Sequence, residues 1–327
     1  MKRKSAMVIT TMGVLIVIFI LGVAIKHSPG IRKIQNKSPL PPISQNTTGE
    51  AQAKGGEGQS QNQSASGPIS QLPWNNDKVF LEAQERNQAK VCLGAYQTVL
   101  PDPLPGEEEN VHLGARLLSG TVVLPGQIFS QNAAIGPYSE ERGFRAGPTY
   151  VGSQLKTTTG GGVCKLASTL YNVAVLSNLS IIERHAHSMP VPYVPYGQDA
   201  TVSYGSKDFK FRNDTNFPVL IWAQGIDNVL YIAFYGQIQP PRIEWQHEFI
   251  ERYKSSTLYR TNKLIHQGDQ KVAMEGMDGG VVRSSIKIFS DSSHWTMKTM
   301  GLSYYSPLPR VVEKGGMTPA ISESGKQ

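Results

Sequence analysis

The sequence lacks several of the patterns that mark nucleotide, nucleic-acid or metal binding. It has no glycine-rich phosphate loop with lysine and hydroxyl partners, and it has no internal repeat. Although the formal net charge is +7, no basic stripe alternates with stacking aromatics, so nucleic acid is not an expected partner. Its histidines and cysteines supply no fourth zinc ligand at a familiar spacing. We therefore expect neither a metal nor a cofactor.

Cysteine is scarce, because the chain contains only Cys92 and Cys164. In an oxidising compartment the two could pair as a disulfide, which would block both thiols. Alternatively, Cys164 is a small buried hydrophobe, as free cysteines often are. A third interpretation, a reactive thiol, depends on the sequence around Cys164.

Cys164 lies in the stretch TTTGGGVCKLASTLY, residues 157–171. From Val163 onward, apolar residues recur at spacings of three and four, which predicts a helix that ends near Asn178. Three glycines precede the helix and allow a sharp turn, namely Gly160, Gly161 and Gly162. The first turn of a helix lowers the pKa of a thiol through its dipole and free N–H groups. Cys164 is therefore the candidate nucleophile, and the backbone N–H groups of Gly162 to Cys164 are candidates for an oxyanion hole.

Two histidines follow in a β-like run that begins at Ile181. His185 and His187 are two residues apart, so an extended chain places both on one face. A thiol activated for acyl transfer needs a base within hydrogen-bond reach and a third group that orients the base. Asp199 is the first candidate for that group and Asp208 the second. Alternatively, the paired histidines are a structural hydrogen-bonding feature.

Four blocks of sequence, in this order, resemble the VanW-domain family. They are VVLPGQIFSQNAAIGPYSEERGF, GGGVCKLASTLYN, ERHAHSMPVPYVPYGQDATVSYG and DFKFRNDTNFPVLIWA, within residues 110–224. The resemblance implies a cysteine L,D-transpeptidase that cross-links stem peptides of peptidoglycan, or at least a protein whose partner is a wall polymer. It favours His187 over His185 as the base, because Ser188 and Pro190 fix that segment in the family pattern.

The resemblance also suggests which side chains surround the site. Tyr138 and Arg145 lie in a loop that packs around the site in the family, so they are candidates for a substrate wall. Arg184 is a candidate anchor for a stem-peptide carboxylate, because a guanidinium group matches a carboxylate in bidentate fashion. The family usually has glutamine directly after the cysteine, where this sequence has Lys165. We expect Lys165 either to hold the thiolate or to change substrate preference or activity.

The N-terminal segment predicts attachment to a membrane. Basic residues precede an uncharged apolar run from Met7 to Ile25, and about 20 apolar residues span a bilayer. We expect residues 1–27 to be a single-pass anchor, with a cleaved signal peptide as the alternative. The basic N-terminal side places the main body outside the cytoplasm. The net charge of +7 is suited to anionic wall polymers.

The rest of the chain divides into four parts. Residues 28–73 are rich in Pro, Gln, Asn, Ser and Gly, which predicts a disordered linker. Residues 74–239 form the predicted core domain, of α+β class, in which the glycine-led helix packs on an antiparallel sheet. Residues 240–316 resemble a G-five type β module in glycine spacing and strand pattern, with a purely structural β appendage as the alternative. Residues 317–327 are predicted to be a disordered tail.

Two functions follow from these features. The first is a membrane-anchored transpeptidase that uses a Cys164 acyl-enzyme, and a hydrolase would share its first half-reaction. The second is a non-catalytic wall-binding protein in which the glycine turn shapes a ligand cradle. The two differ in the reactivity of the Cys164 thiol.

Overall fold

The structure is a computed structural model that describes residues 66–100, 103–151 and 154–316. The predicted anchor (1–27) and tail (317–327) lie outside these residues, as does most of the predicted linker. Of the described residues, 42% lie in strands and 18% in helices. None of the helices in this part of the chain is both long and apolar enough to cross a bilayer.

Among the described residues, the first ten strands and the four α-helices precede residue 237. In chain order they are β1 (Gly67–Pro68), α1 (Lys78–Asn87), β2 (Val91–Val99), α2 (Glu107–Leu118), β3 (Thr121–Val123), β4 (Ile128–Ser130), α3 (Gln131–Ile135), β5 (Ala146–Val151), β6 (Gln154–Thr159), α4 (Val163–Leu176), β7 (Ser180–Glu183), β8 (Lys210–Arg212), β9 (Val219–Ile226) and β10 (Val229–Gly236). The C-terminal β region consists of β11 (Ile243–Tyr253), β12 (Thr257–Asn262), β13 (Gln270–Met274), β14 (Gly279–Phe289), β15 (Trp295–Tyr305) and β16 (Arg310–Gly315).

A five-stranded antiparallel sheet, in the order β1-β2-β10-β9-β3, forms the centre of the fold. Its central strands are apolar on both faces, because both faces are covered. On β10, Ile232 and Phe234 belong to the main core beneath α2 and α4, whereas Ala233 and Tyr235 belong to a second cluster with Trp74. The sequence of this strand therefore reads as a continuous apolar run.

Helix α4 lies at the centre of the main core. It begins at Val163, as the spacing predicts, and ends at Leu176, two residues before Asn178, which has a φ of 55°. Almost every side chain of this helix is buried, and Cys164, in the first turn, is one of the exceptions. This burial fixes the helix start, and with it the position of the thiol.

The predicted linker extends too far into the folded part of the chain. Gly67 and Pro68 pair with β2, and the Ile69 N–H donates to the Ala95 carbonyl at 3.3 Å. Leu72 is buried against the second cluster. Residues 66–73 are therefore ordered, because their few apolar side chains pack against the second cluster. The polar composition of the segment gives no sign of this contact.

The C-terminal β region contains two three-stranded sheets, β11-β14-β15 and β12-β16-β13. All pairs are antiparallel except β12 with β16, which run parallel. The predicted boundary at residue 240 lies between β10 and β11. Ile243 of β11 and Ile286 of β14 nevertheless belong to the main core. The predictions of antiparallel sheets and an all-β C-terminal part are confirmed, while the described chain is mostly β rather than evenly α and β.

Candidate active site

The glycine turn places Cys164 in the first turn of α4. Gly162 is the N-cap residue with a φ of 99°, and a Cβ there would lie 2.7 Å from Cγ of Glu107. A Cβ on Gly161 would lie 2.1 Å from the carbonyl carbon of Gly147. Only glycine fits where the chain passes this close to α2 and β5. The turn thereby holds the half-buried Cys164 at the helix start.

Two backbone N–H groups at the start of α4 have no hydrogen-bond partner among the described residues. The N–H groups of Gly160 and Gly161 donate to the carbonyls of Arg145 and Thr158, at 2.9 and 3.1 Å. The N–H groups of Gly162 and Cys164 make no hydrogen bond within the described residues. Unpaired N–H groups at a helix start are suited to binding a negatively charged oxygen. Of the predicted donors Gly162 to Cys164, Val163 donates its N–H to the Gly160 carbonyl at 3.3 Å, so Gly162 and Cys164 remain as candidate oxyanion donors.

His187 and Asp199 lie together in the loop that follows β7. The His187 ring nitrogen Nδ1 is 2.7 Å from Oδ2 of Asp199, which also accepts the His187 backbone N–H at 2.7 Å. The side chain of Asp199 is 1% exposed. Because Nδ1 is bound to Asp199, Nε2 is the ring nitrogen left for the thiol, and the charge of His187 acts on Cys164.

The pKa values of this group favour a charged pair. Burial raises the pKa of the Cys164 thiol, but the hydrogen bond and positive charge of His187 outweigh it and lower the pKa below its ordinary value. Burial lowers the pKa of His187, but hydrogen bonds and charges of Asp199 and Cys164 raise it to about 9. Burial likewise raises the pKa of Asp199, yet His187 and Arg184 hold it at about 2. Near neutral pH His187 is therefore an imidazolium and Asp199 a carboxylate, and this pair shifts the Cys164 thiol towards the thiolate.

The thiol also contacts two residues that the sequence analysis missed. The Thr201 hydroxyl is 3.3 Å from Cys164 Sγ, and the Val202 N–H donates to Sγ at 3.5 Å. Both donors stabilise a thiolate. The quoted block ERHAHSMPVPYVPYGQDATVSYG contains both residues, but nothing in a lone sequence distinguishes a threonine that faces a thiol from one that faces solvent.

Arg184 is a structural partner of Asp199 rather than a substrate anchor. Its side chain is 13% exposed, and Nη2 donates to Oδ1 of Asp199 at 3.0 Å. Nε donates to the Asp199 carbonyl at 2.7 Å, and Nη1 donates to the Ser303 hydroxyl at 2.9 Å. Arg184 therefore binds a carboxylate, as predicted, but it is the carboxylate of Asp199 and not that of a stem peptide. Tyr305, also missed, donates its hydroxyl to the same Oδ1.

The prediction that both histidines share one face is wrong. Strand β7 ends at Glu183, so the alternation of side chains does not continue through His185 and His187. His185 is 40% exposed, and its Nε2 lies 3.0 Å from Oε1 of Glu183. Asp208 does not orient a histidine, because its carboxylate accepts from Ser130 and from the Asn132 backbone N–H.

Lys165 is directed into the core. Successive helical residues are rotated by about 100°, so the residue after an outward-facing cysteine can point inward. Lys165 is 3% exposed, and its Nζ donates to the Asn228 carbonyl at 3.1 Å. Burial lowers its pKa to about 8, against the opposing charges of Glu107 and Glu108. The expectation that Lys165 contacts the thiolate or substrate is therefore corrected.

Tyr138 and Arg145 lie beside the glycine turn. Tyr138 is half-buried and donates its hydroxyl to Asn132 at 2.8 Å. It packs closely on the turn, because a Cβ on Gly160 would lie 2.5 Å from the Cβ of Tyr138. It therefore supports the turn as well as bordering the thiol. Arg145 is exposed next to the turn and remains a candidate for contact with substrate.

The disulfide alternative is not found. Cys92 and Cys164 are both free, and they pack against different clusters on opposite faces of the central sheet. Within the described residues, no group of three or more histidine, cysteine, aspartate or glutamate side chains could hold a metal ion.

Comparison with known proteins matches the part of the chain that carries these residues. The family model for VanW-like proteins matches residues 106–235, which contain Cys164, His187 and Asp199. Residues 106–235 form a VanW-like domain. Outside this domain lie Ser303 and Tyr305, which bind Arg184 and Asp199.

Two curated relatives match part of the chain. YoaR of Bacillus subtilis (strain 168), an uncharacterized protein, is 37% identical over 144 residues, covering 44% of this chain and 48% of YoaR. The vancomycin B-type resistance protein VanW of Enterococcus faecalis is 32% identical over 136 residues, covering 40% of this chain and 50% of that protein. The chain thus spans about half the length of these relatives.

A solved structure also resembles part of the chain. The G5 domain of IgA1 protease is 26% identical, with a TM-score of 0.16, covering 24% of this chain and 94% of that domain. The predicted resemblance to the VanW-domain family is confirmed at residues 106–235, while the likeness to G5 domains is weak.

Proposed function

We propose that this protein is a cell-wall L,D-transpeptidase that transfers stem-peptide acyl groups through Cys164. The observation that carries the proposal is the arrangement of Cys164, His187 and Asp199, with Asp199 bound to the imidazole at 2.7 Å. The similarity of residues 106–235 to VanW-like proteins, including a vancomycin resistance protein, supports a function associated with the cell wall.

In the first half-reaction, the Cys164 thiolate attacks the carbonyl carbon of a stem-peptide amide. The carbonyl oxygen becomes negatively charged and is bound by the N–H groups of Gly162 and Cys164. His187, as the imidazolium, donates a proton to the leaving nitrogen while the carbon–nitrogen bond breaks. The products are a Cys164 thioester and the released C-terminal residue with a free amine.

In the second half-reaction, an amine of a neighbouring stem peptide attacks the thioester carbon. Neutral His187 takes a proton from this amine, and the carbon–sulfur bond breaks to return the Cys164 thiolate. One amide bond is replaced by another, so the exchange needs no external energy source. Asp199 keeps Nδ1 of His187 protonated throughout, so that Nε2 carries the proton that is exchanged.

The proposed location is the outer side of the cell membrane. Residues 1–27 would anchor the chain, and the formal net charge of +7 favours approach to anionic wall polymers. The exposed Arg145 beside the glycine turn is the proposed contact for a stem-peptide carboxylate.

The proposal is tested by incubating the full-length chain with a purified tetrapeptide-stem muropeptide and measuring its intact mass. Wild type and Cys92→Ala are expected to gain one acyl group, and Cys164→Ala is expected to gain none. Cys92→Ala is the matched control, because Cys92 is the other free cysteine and lies outside the site. Adding a stem peptide with a free amine should consume the adduct and yield a cross-linked product.

Other outcomes separate the alternatives. An adduct that is lost to water at the same rate with and without the amine would indicate a hydrolase. Absence of an adduct in wild type, together with saturable wall binding that survives Cys164→Ala, would overturn the enzyme and support a wall-binding protein.

A further inference from the structure

The loop that carries His187 and Asp199 lies between α4 and the C-terminal β region. On the α4 side, the Asn172 amide donates to the Gln198 carbonyl at 2.8 Å. The Ser168 hydroxyl accepts the Ala200 N–H at 2.9 Å. These bonds fix one side of Asp199 to the same helix that carries Cys164.

The other side of Asp199 is fixed by β15. Tyr305 donates its hydroxyl to Asp199 Oδ1 and accepts the Gly197 N–H at 2.8 Å. Ser303 accepts from Arg184 Nη1 at 2.9 Å, and Arg184 in turn binds Asp199 Oδ1. Ser303 and Tyr305 are two residues apart and therefore share a face of the strand. Both are buried, whereas Tyr304 between them is 64% exposed.

The fit between the loop and the β region is close. Gly197 has a φ of 84°, and a Cβ there would lie 2.0 Å from the Ser284 hydroxyl of β14. The next residue, Gln198, donates its amide to His247 of β11 at 2.9 Å. The Ser306 N–H donates to the Ser188 carbonyl, one residue after His187, at 2.8 Å. The loop therefore packs closely against the sheet β11-β14-β15.

We propose that the C-terminal β region completes the active site, with Tyr305 acting as a positioning residue that fixes Asp199 against His187. This inference rests on the proposed function. It adds a residue from outside the VanW-like domain to the active site, because that domain ends at residue 235 and does not include Tyr305. In this arrangement Oδ1 of Asp199 binds Tyr305 and Arg184, while Oδ2 binds the ring and backbone of His187. With both oxygens occupied, the carboxylate has one orientation, and that orientation aims the imidazole at the thiol.

Several titratable groups act on Asp199 and are unchanged in the test. They are Arg184, His187, Tyr171 and Tyr193, with Cys164 on the far side of His187. Burial and the charge of Asp199 raise the pKa of Tyr305, so its hydroxyl stays protonated and remains a donor. Removing the hydroxyl therefore removes its hydrogen bonds with Asp199 and Gly197 but no charge.

The test measures the pH dependence of Cys164 alkylation in the full-length chain, with Tyr305→Phe compared with Tyr304→Phe. Without the Tyr305 hydrogen bond the Asp199 carboxylate can turn away from His187 and stabilise the imidazolium less. The pKa of the Cys164 thiol should then rise by roughly one unit, and alkylation of Tyr305→Phe in the acidic range should slow by about tenfold. Tyr304→Phe removes an exposed hydroxyl on the same strand and should match wild type. A merely structural tyrosine would lower the melting temperature without moving the thiol pKa.

A Tyr305→Phe profile that coincides with wild type would overturn the inference. If Tyr305→Phe does not fold, Ser303→Ala replaces it, because it removes the acceptor of Arg184 and should move the profile in the same direction. An unshifted profile for that variant overturns the inference equally. Alkylation needs no substrate, so the two proposals fail separately. A shifted profile in a protein that forms no acyl adduct would retain the positioning role and overturn the transpeptidase.

Discussion

Replacing Asp199 by asparagine removes the charge that stabilises the His187 imidazolium. The surroundings of His187 raise its pKa from 6.5 to about 9, which corresponds to about 3 kcal/mol in favour of the imidazolium. Asp199 supplies much of this through a 2.7 Å hydrogen bond and a charge at 1% exposure. An asparagine in its place would keep the size of the side chain but not the charge, so the pKa of His187 should fall.

The consequence for Cys164 follows from the sign of this change. A less stable imidazolium stabilises the thiolate less, so the pKa of Cys164 should rise towards 9.0. We expect a rise of at least about one pH unit, which slows alkylation about tenfold at any pH below the thiol pKa. The assay follows carbamidomethylation of Cys164 in the full-length chain across the pH range, by mass spectrometry of the peptide that contains it.

Glu183→Gln is the matched control for Asp199→Asn. Glu183 binds His185 at 3.0 Å, as Asp199 binds His187, but this pair lies at the surface. Its loss should leave the alkylation profile of Cys164 unchanged. If folded Asp199→Asn gives the wild-type profile, or if Glu183→Gln shifts the profile as much, the assignment of Asp199 is refuted. Circular dichroism at the assay temperature checks that each variant is folded, because Arg184 also loses its ion pair with Asp199.

Two further predictions concern the helix start. Lys165→Gln should leave the alkylation profile of Cys164 unchanged, because Nζ of Lys165 ends on the Asn228 carbonyl in the core; a displaced profile would show that the lysine charge reaches the thiol. Gly162→Ala should lower the free energy of unfolding more than Gly126→Ala, as measured with urea. Both glycines have positive φ, which costs alanine roughly 1–2 kcal/mol, but only at Gly162 does a Cβ meet Glu107. Equal losses would contradict this account of the glycine turn.

The sequence by itself determined the local features of the site. The spacing of apolar residues located the start of α4 at Val163, and three glycines before it indicated a close approach of the backbone. These are local properties, because helix periodicity and φ preferences depend on a few neighbouring residues. The chemistry of thiol activation then indicated Asp199, and the family resemblance favoured His187; the structure brings the two together.

Side-chain direction was not determined by the sequence. Lys165 and Arg184 were expected to face substrate, yet Lys165 points into the core and Arg184 binds a carboxylate of the protein itself. A charged residue next to a candidate nucleophile can be exposed or buried, and burial depends on which elements pack above it. Alternation in the sequence likewise did not show that β7 ends at Glu183, before both histidines, so that they do not share a strand face.

Only the tertiary structure decided what holds Asp199 in place. Tyr305 is 106 residues from Asp199 along the chain, and its neighbour Tyr304 has the same side chain with 64% exposure. Nothing in the sequence of β15 distinguishes these two tyrosines, because both fit a strand equally well. The difference arises when the sheet packs on the loop that carries His187, since alternate residues of a strand face opposite sides and only one side meets the carboxylate.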